Sequence, residues 1–292
     1  MKTKLKLITL LTVFLTVFSC NKNEKTQTTA ETTTDSIPVI EYKEPPVVEM
    51  VTDFGTIKMK LFNETPKHRD NFIKLAKEGV MDSMLFHRVI NEFMIQTSVP
   101  TNKYTRLSDT SGTGALDYKI DAEFHPDLFH KRGALAAARD GNPERASAST
   151  SFYIVQRGPR NDSLLDVDES RINKWLAEHY ARKTPMHKTL TYALEQAIKD
   201  DDQERYRMYT DSLSNYIENY TDYEPYTIPE AHREVYRTIG GAAHLDQNYT
   251  VFGEVLEGMN VVDSIAHVEV NRLNRPLKEI RIQSVKILEP KE

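Results

Sequence analysis

The sequence predicts a mainly β domain, an antiparallel sheet or barrel, interrupted by a long α-helical insertion. Three observations carry this expectation. Short runs with alternating apolar residues recur along the chain, the period of half-buried strands. Outside residues 158–240 only two stretches have helical spacing. Between Gly158 and Gly240 glycine disappears and the apolar period becomes helical, and a structureless loop of that length is rare in a compact domain.

Taken in order, "VVEMVTDFGTIKMKLF" holds two alternating runs around Asp53, Phe54 and Gly55. In the second run Ile57, Met59 and Leu61 oppose Lys58 and Lys60, so a hairpin with one wet face is expected. Thr65 and Pro66 supply an N-cap and a first-turn proline, and Phe72, Ile73, Leu75 and Ala76 form a helical stripe ending at Gly79. "MLFHRVI" and "FMIQT" read as strands separated by an Asn91–Glu92 turn. "GALAAA", "SFYIVQ", "YTVFGEV" and "EIRIQSVKIL" are further strands, and Met259, Val262 and Ile265 mark a second helix. Inside the insertion, Ile172, Trp175, Leu176, His179 and Tyr180 share one helix face, and Tyr206, Tyr209, Leu213, Tyr216, Ile217 and Tyr220 share another. Nine of the fourteen tyrosines lie there, which fits a semi-polar helical core or a surface for an unfolded client or partner protein.

With 292 residues, 39% of them hydrophobic and 28% charged, the chain is long enough to bury a core and reads as soluble and globular. A net charge of -5 without a basic, aromatic-interleaved stripe excludes nucleic acid as an expected partner. The first residues differ: "MKTKLK" is positive, and "LITLLTVFLTVF" is apolar but short for a membrane span. Val17, Phe18, Ser19 and Cys20, the only cysteine, resemble the lipobox of bacterial lipoproteins. That resemblance implies cleavage before Cys20, acylation of its sulfur and a lipid-anchored cell-envelope location, expected at the outer membrane on its periplasmic or surface side. The domain map that follows is a signal peptide at 1–19, a polar threonine-rich tether at 20–45, the β domain at 46–157 and 241–290, and the insertion at 158–240.

Three blocks, "FHRVINEFMIQ", "GALAAARDGNPERASASTSFYIV" and "HLDQNYTVFGEVLEGMNVVDSI", together resemble the signature blocks of cyclophilin-type peptidyl-prolyl isomerases, from about Val47 to Leu288 apart from the insertion. The resemblance implies a closed eight-stranded antiparallel barrel capped by two helices, with a peptide groove on its outer face. It implies isomerisation of Xaa-Pro bonds in unfolded or proline-containing polypeptides, without a cofactor. Amide rotation costs about 18–20 kcal/mol, so such a catalyst needs neither nucleophile nor proton shuttle. It needs a donor for the prolyl nitrogen as that atom becomes pyramidal, and a guanidinium is a rigid, lasting cation. In the family that role falls to the arginine matching Arg88. The proline pocket matches Phe93, Met94, Tyr153 and Leu245; Gln96 matches the glutamine that orients the arginine, and Ala138 and Arg139 the strand that pairs with the substrate. Tyr249 replaces a frequent histidine at the groove, a change seen in bacterial members.

Several residues depart from the family pattern. Ser151 stands where glutamine is usual, and Tyr153 stands for phenylalanine, which adds a hydroxyl to the pocket floor. His244 replaces a tryptophan that contacts cyclosporin in many members, so weak inhibition by that drug is expected. Thr97, Ser98 and Val99 replace a Gly-Gly-Asp turn, which disfavours positive φ there.

Other chemistries find less support. Arg88 on an alternating strand has the simpler reading of a surface residue, and His87 is expected to be structural. The nine histidines lack paired ligand spacing, so no metal is expected. Asp200 to Asp202 lack the calcium-loop pattern and read as a solvated helix end. Ser149 and Ser151 lack a hydrolase elbow. A peptide-binding or chaperone module without rate enhancement remains the alternative function, resting on Ser151 and the altered turn.

Overall fold

The computed structural model describes residues 42–98 and 116–289. The leader, Cys20, most of the tether and Val99 lie outside the described residues. Strands β1 (Val47–Thr52) and β2 (Gly55–Leu61) pair antiparallel, with Thr52 opposite Gly55. The two-residue loop between them requires φ +128° at Gly55, a value side chains resist. Val48, Met50, Ile57, Met59 and Leu61 are fully buried, and the outward Lys60 pairs with Glu254 at 2.7 Å.

Helix α1 (Pro66–Lys77) starts at Thr65 as expected, but the threonine side chain makes no cap. Glu123 does that work from a distant loop: its two carboxylate oxygens accept from the backbone N–H groups of Lys67 and His68, each at 3.0 Å. A carboxylate is a stronger partner than a hydroxyl for the positive end of a helix.

β3 (Leu85–Ile90) and β4 (Met94–Ser98) follow as a hairpin, with Glu92 in the left-handed region at φ +55°. No turn forms at Thr97 or Ser98, where the departure from Gly-Gly-Asp had put the family turn in doubt. Both residues extend β4, and Thr97 Oγ1 donates to Leu85 O at 2.9 Å, so neither needs positive φ. β5 (Lys119–Ile120) and β7 (Ser147–Ala148) form a small ladder that the sequence pattern did not mark. The main sheet gains β6 (Ala134–Ala137), β8 (Phe152–Val155), β9 (Val251–Glu257) and β10 (Ile282–Leu288).

Its eight antiparallel strands run in the order β10, β1, β2, β9, β6, β8, β4, β3. The ladder is open: its outermost strands meet only near an isolated bridge between Leu85 and Arg281, where Phe86 N donates to Ile280 O and Ile282 N to Met84 O. Inward residues such as Met50, Leu135, Ile154 and Phe252 pack against Phe72 and Ile73 of α1 to form the core.

Four helices follow β8: α2 (Asp162–Ala181), α3 (Pro185–Lys199), α4 (Gln203–Glu218) and α5 (Glu230–Thr238). Asn161, Thr184 and Asp202 cap the first three through their side chains. Asp200 to Asp202 thus form the α3–α4 link, a solvated helix end. α2 and α5 lie on the β domain, with Leu165, Ile172, Leu176 and Tyr236 buried around Ala243. In α4 the stripe Tyr209, Leu213, Tyr216 and Ile217 is only half-buried, although α4 packs on both α3 and α2. The glycines bounding the glycine-free stretch meet: Gly240 sits at φ +101°, where a Cβ would overlap the backbone of Gly158. Helix α6 (Met259–Ala266) packs on β2, β3 and β4 and adds the buried Val262 and Ile265 to the same core.

Candidate active site

The β3–β4 hairpin places the arginine. Phe86 and Val89 are three apart and would face opposite sides of a regular strand, yet both are buried. A register shift between Phe86 and Arg88 resolves this, since a bulge absorbs His87 and restores the inward parity of Val89. Arg88 is left facing outward, opposite Gln96, and Gln96 is opposite Tyr153. Three groove residues on one sheet face therefore follow from a single bulge. His87 is left with an unpartnered Nδ1 among the described residues, and its pKa falls to about 4 because of burial and the neighbouring Arg275 and Arg88.

Arg88 Nη1 donates to Gln96 Oε1 at 3.1 Å. Gln96 Nε2 donates in turn to Ser151 Oγ at 3.4 Å, and Ser151 Oγ to Thr97 O at 3.2 Å. Ser151 thereby holds the glutamine so that its carbonyl faces Arg88. Beside them opens a groove of about 510 Å³. Phe93, Met94, Tyr153 and Leu245 line its apolar part, and Ala138, Arg139 and Tyr249 another side. All nine groove residues that the sequence suggested, Arg88 and Gln96 included, come together here. The Arg139 guanidinium lies 5.2 Å from the Tyr249 ring centroid, and its Nε donates to Asn248 O at 2.9 Å.

Tyr153 does not put its hydroxyl into the pocket. Tyr153 Oη lies 3.0 Å from His130 Nε2, His130 Nδ1 lies 2.7 Å from Asp246 Oδ1, and Tyr236 Oη of α5 donates to Asp246 Oδ2 at 2.7 Å. Burial pushes both tyrosine hydroxyls well above their ordinary pKa, so both remain donors. The pocket thus keeps an apolar ring face, while the hydroxyl ties its floor to α5.

The region 158–240 supplies a wall that the sequence did not suggest. Arg160, Asp168, Arg171 and Trp175 line the same groove, with Arg157 from the end of β8. The indole of Trp175 meets His244 edge-on at 6.5 Å, and His244 lies 5.4 Å from Phe93. The available signal was local: "QRGPR" places two arginines directly after the strand that carries Tyr153.

A family model described as "Cyclophilin type peptidyl-prolyl cis-trans isomerase/CLD" matches residues 47–181 and 230–287, more than half of the chain. The chain belongs to that family. The cyclophilin match runs through α2 and α5 and leaves out residues 182–229, the α3–α4 pair. Among its relatives, a candidate peptidyl-prolyl cis-trans isomerase of Staphylococcus haemolyticus is 27% identical over 241 residues, covering 82% of this chain and 90% of that protein. One from Staphylococcus aureus strain USA300 is 27% identical over 243 residues, covering 83% and 91%. A crystal structure of a cyclophilin-type isomerase from Cryptosporidium parvum is similar at a TM-score of 0.49 and 16% identity, covering 85% of this chain and 99% of that one. The isomerase class follows from family membership.

A second constellation in this cyclophilin has the order of a hydrolytic triad. His68 Nδ1 lies 2.7 Å from Glu123 Oε2, and His68 Nε2 lies 2.9 Å from Ser147 Oγ. Ser147 is 1% exposed, and the adjoining cavity that His68 lines holds only about 10 Å³. A nucleophile that no substrate carbonyl can approach is structural, so this trio braces α1 against β7.

Proposed function

We propose that the protein is a lipid-anchored cyclophilin that speeds cis/trans exchange of Xaa-Pro bonds in exported or membrane-associated polypeptides and so assists their folding. The observation that carries the catalytic part is Arg88: an outward guanidinium oriented by Gln96 at 3.1 Å, beside an apolar pocket of Phe93, Met94, Tyr153 and Leu245. The pocket holds the proline ring while the rest of the chain rotates. Arg88 donates to the prolyl nitrogen as it loses amide conjugation, which stabilises the twisted state more than either planar one. The test is nuclear magnetic resonance exchange of an Ala-Ala-Pro-Phe peptide with the parent and Arg88→Ala. Acceleration by the parent and its loss in the variant are expected; no acceleration by the parent would sink the reading.

The anchor rests on the positive, apolar and Ser19–Cys20 order of the first twenty residues. Fatty-acid labelling that is lost in Cys20→Ala checks it; a labelled Cys20→Ala chain would refute it. The domain map, with 158–240 as an inserted unit, rests on the meeting of Gly158 and Gly240; of that unit the family match leaves out the α3–α4 pair and takes in α2 and α5. That pair carries exposed Met186, Tyr192, Ile198 and Met208, which suit contact with an unfolded client or partner protein. The second reading, a peptide-binding module without rate enhancement, draws on Ser151, whose hydroxyl ends on Gln96 and Thr97 O instead of reaching the groove.

A further inference from the structure

The helical side of the groove is strongly cationic. Arg157, Arg160 and Arg171 line it with a single carboxylate, Asp168. Asp168 is 6% exposed in its side chain and is committed to Arg160 at 3.1 Å. Arg157 donates through Nε to the carbonyl of Glu92 at 2.8 Å, a neutral acceptor, and the exposed Glu92 carboxylate accepts instead from Gly158 N at 3.3 Å. Arg171 is exposed, with its guanidinium 4.8 Å from the Trp175 ring centroid. Buried polar atoms here await partners: Arg160 Nε and His244 Nδ1 have no hydrogen-bond partner among the described residues. His244 is 5% exposed, and its Nδ1 is 3.8 Å from Asp168 Oδ1, beyond hydrogen-bond range. Burial, Arg171 and Arg157 together lower the His244 pKa to about 3, which reports the sign of the local field.

The cations are also close to the chemistry. The Arg157 guanidinium lies 5.3 Å from the centroid of Phe93, the ring that walls the proline pocket. An extended chain advances about 3.3–3.6 Å per residue. A side chain one or two residues from a pocketed proline therefore reaches Arg157, and Arg171 lines the same groove.

The geometry points to a subsite for a carboxylate carried next to the proline, so that this isomerase prefers Xaa-Pro bonds flanked by aspartate or glutamate. The inference rests on the isomerase groove proposed above and names its substrate class. A guanidinium meets a carboxylate with two parallel hydrogen bonds, which makes arginine the fitting residue. Arg157 and Arg171 supply the charge, held by the rings of Phe93 and Trp175 so that little side-chain freedom is lost on binding.

The test uses the full chain and pairs of short proline peptides differing only in glutamate or lysine, placed before or after the proline. Affinity is read by titration calorimetry and exchange by nuclear magnetic resonance. At low salt the glutamate peptide of at least one pair binds about tenfold more tightly than its lysine partner. The gap closes at about 0.5 M salt and in Arg171→Glu and Arg157→Gln. Equal affinities within both pairs, or a glutamate preference that both variants retain, would overturn the subsite. Tighter glutamate binding without any acceleration of exchange would uphold the subsite and reject the isomerase reading.

Discussion

On the sheet side of the groove, Arg88, Gln96 and Ser151 are joined by hydrogen bonds, and Met94, Tyr153 and Leu245 are almost fully buried. On the helical side, Arg157, Arg171 and Trp175 are held mainly by ring contacts and stay partly or fully exposed. A fixed donor suits a transition state whose geometry never varies. A cationic wall steadied by ring contacts suits discrimination among substrates by the charge of their flanking residues. The comparison teaches that, on the proposed reading, one groove divides two tasks, with chemistry on the strands and selection on the wall formed by Arg157 and α2.

The largest effect that sharpens this division is expected from Arg88→Ala. Removing one preorganised donor lowers kcat/KM on the order of 10²-fold, while the melting temperature moves little because the residue faces solvent. A variant that loses activity only by unfolding would break the comparison. Next comes the seam between the two regions. Gly240→Ala places a methyl group against the Gly158 backbone at φ +101° and costs about 2 kcal/mol or more, read by denaturant unfolding. A neutral substitution there would mean that the helical wall is not fixed where the glycines meet.

A smaller change is expected from Tyr236→Phe, which leaves Asp246 Oδ2 without the donor from α5. An unpaired buried acceptor costs about 1–3 kcal/mol, and a rise in KM would accompany it if α5 positions Tyr153 through His130. A further effect is on pH dependence. His87 and His244 are held neutral with pKa values of about 4 and about 3, mainly by burial. The unfolded chain therefore binds protons that the folded one does not, and stability falls as pH drops below about 6.5 towards those values. Thermal scans from pH 7 to 4 should show the decline, and His244→Gln should flatten it.

The strands and both core helices were legible because their apolar periods reflect one buried face each. The nine groove residues were legible because they lie in three contiguous blocks that resemble the family's signature blocks. The bulge at His87 was not: the spacing of Phe86 and Val89 breaks alternation, but a strand buried on both faces would carry the same pattern. The N-cap of α1 was misread because Glu123 acts across a loop, and how far β4 runs through Thr97 and Ser98 was left open because it depends on their pairing with Phe86 and Leu85 across the hairpin. The wall of Arg157, Arg171 and Trp175 stayed hidden for a different reason. A helix face shows which residues it could bury, but not which surface it lies on.

Trp175, the chain's only tryptophan, makes the central claim directly measurable. If α2 forms one wall of the groove, titrating the full chain with an Ala-Ala-Pro-Phe peptide shifts the Trp175 emission saturably, at the concentration that saturates catalysis. A peptide that is isomerised while that emission stays unchanged would contradict the account.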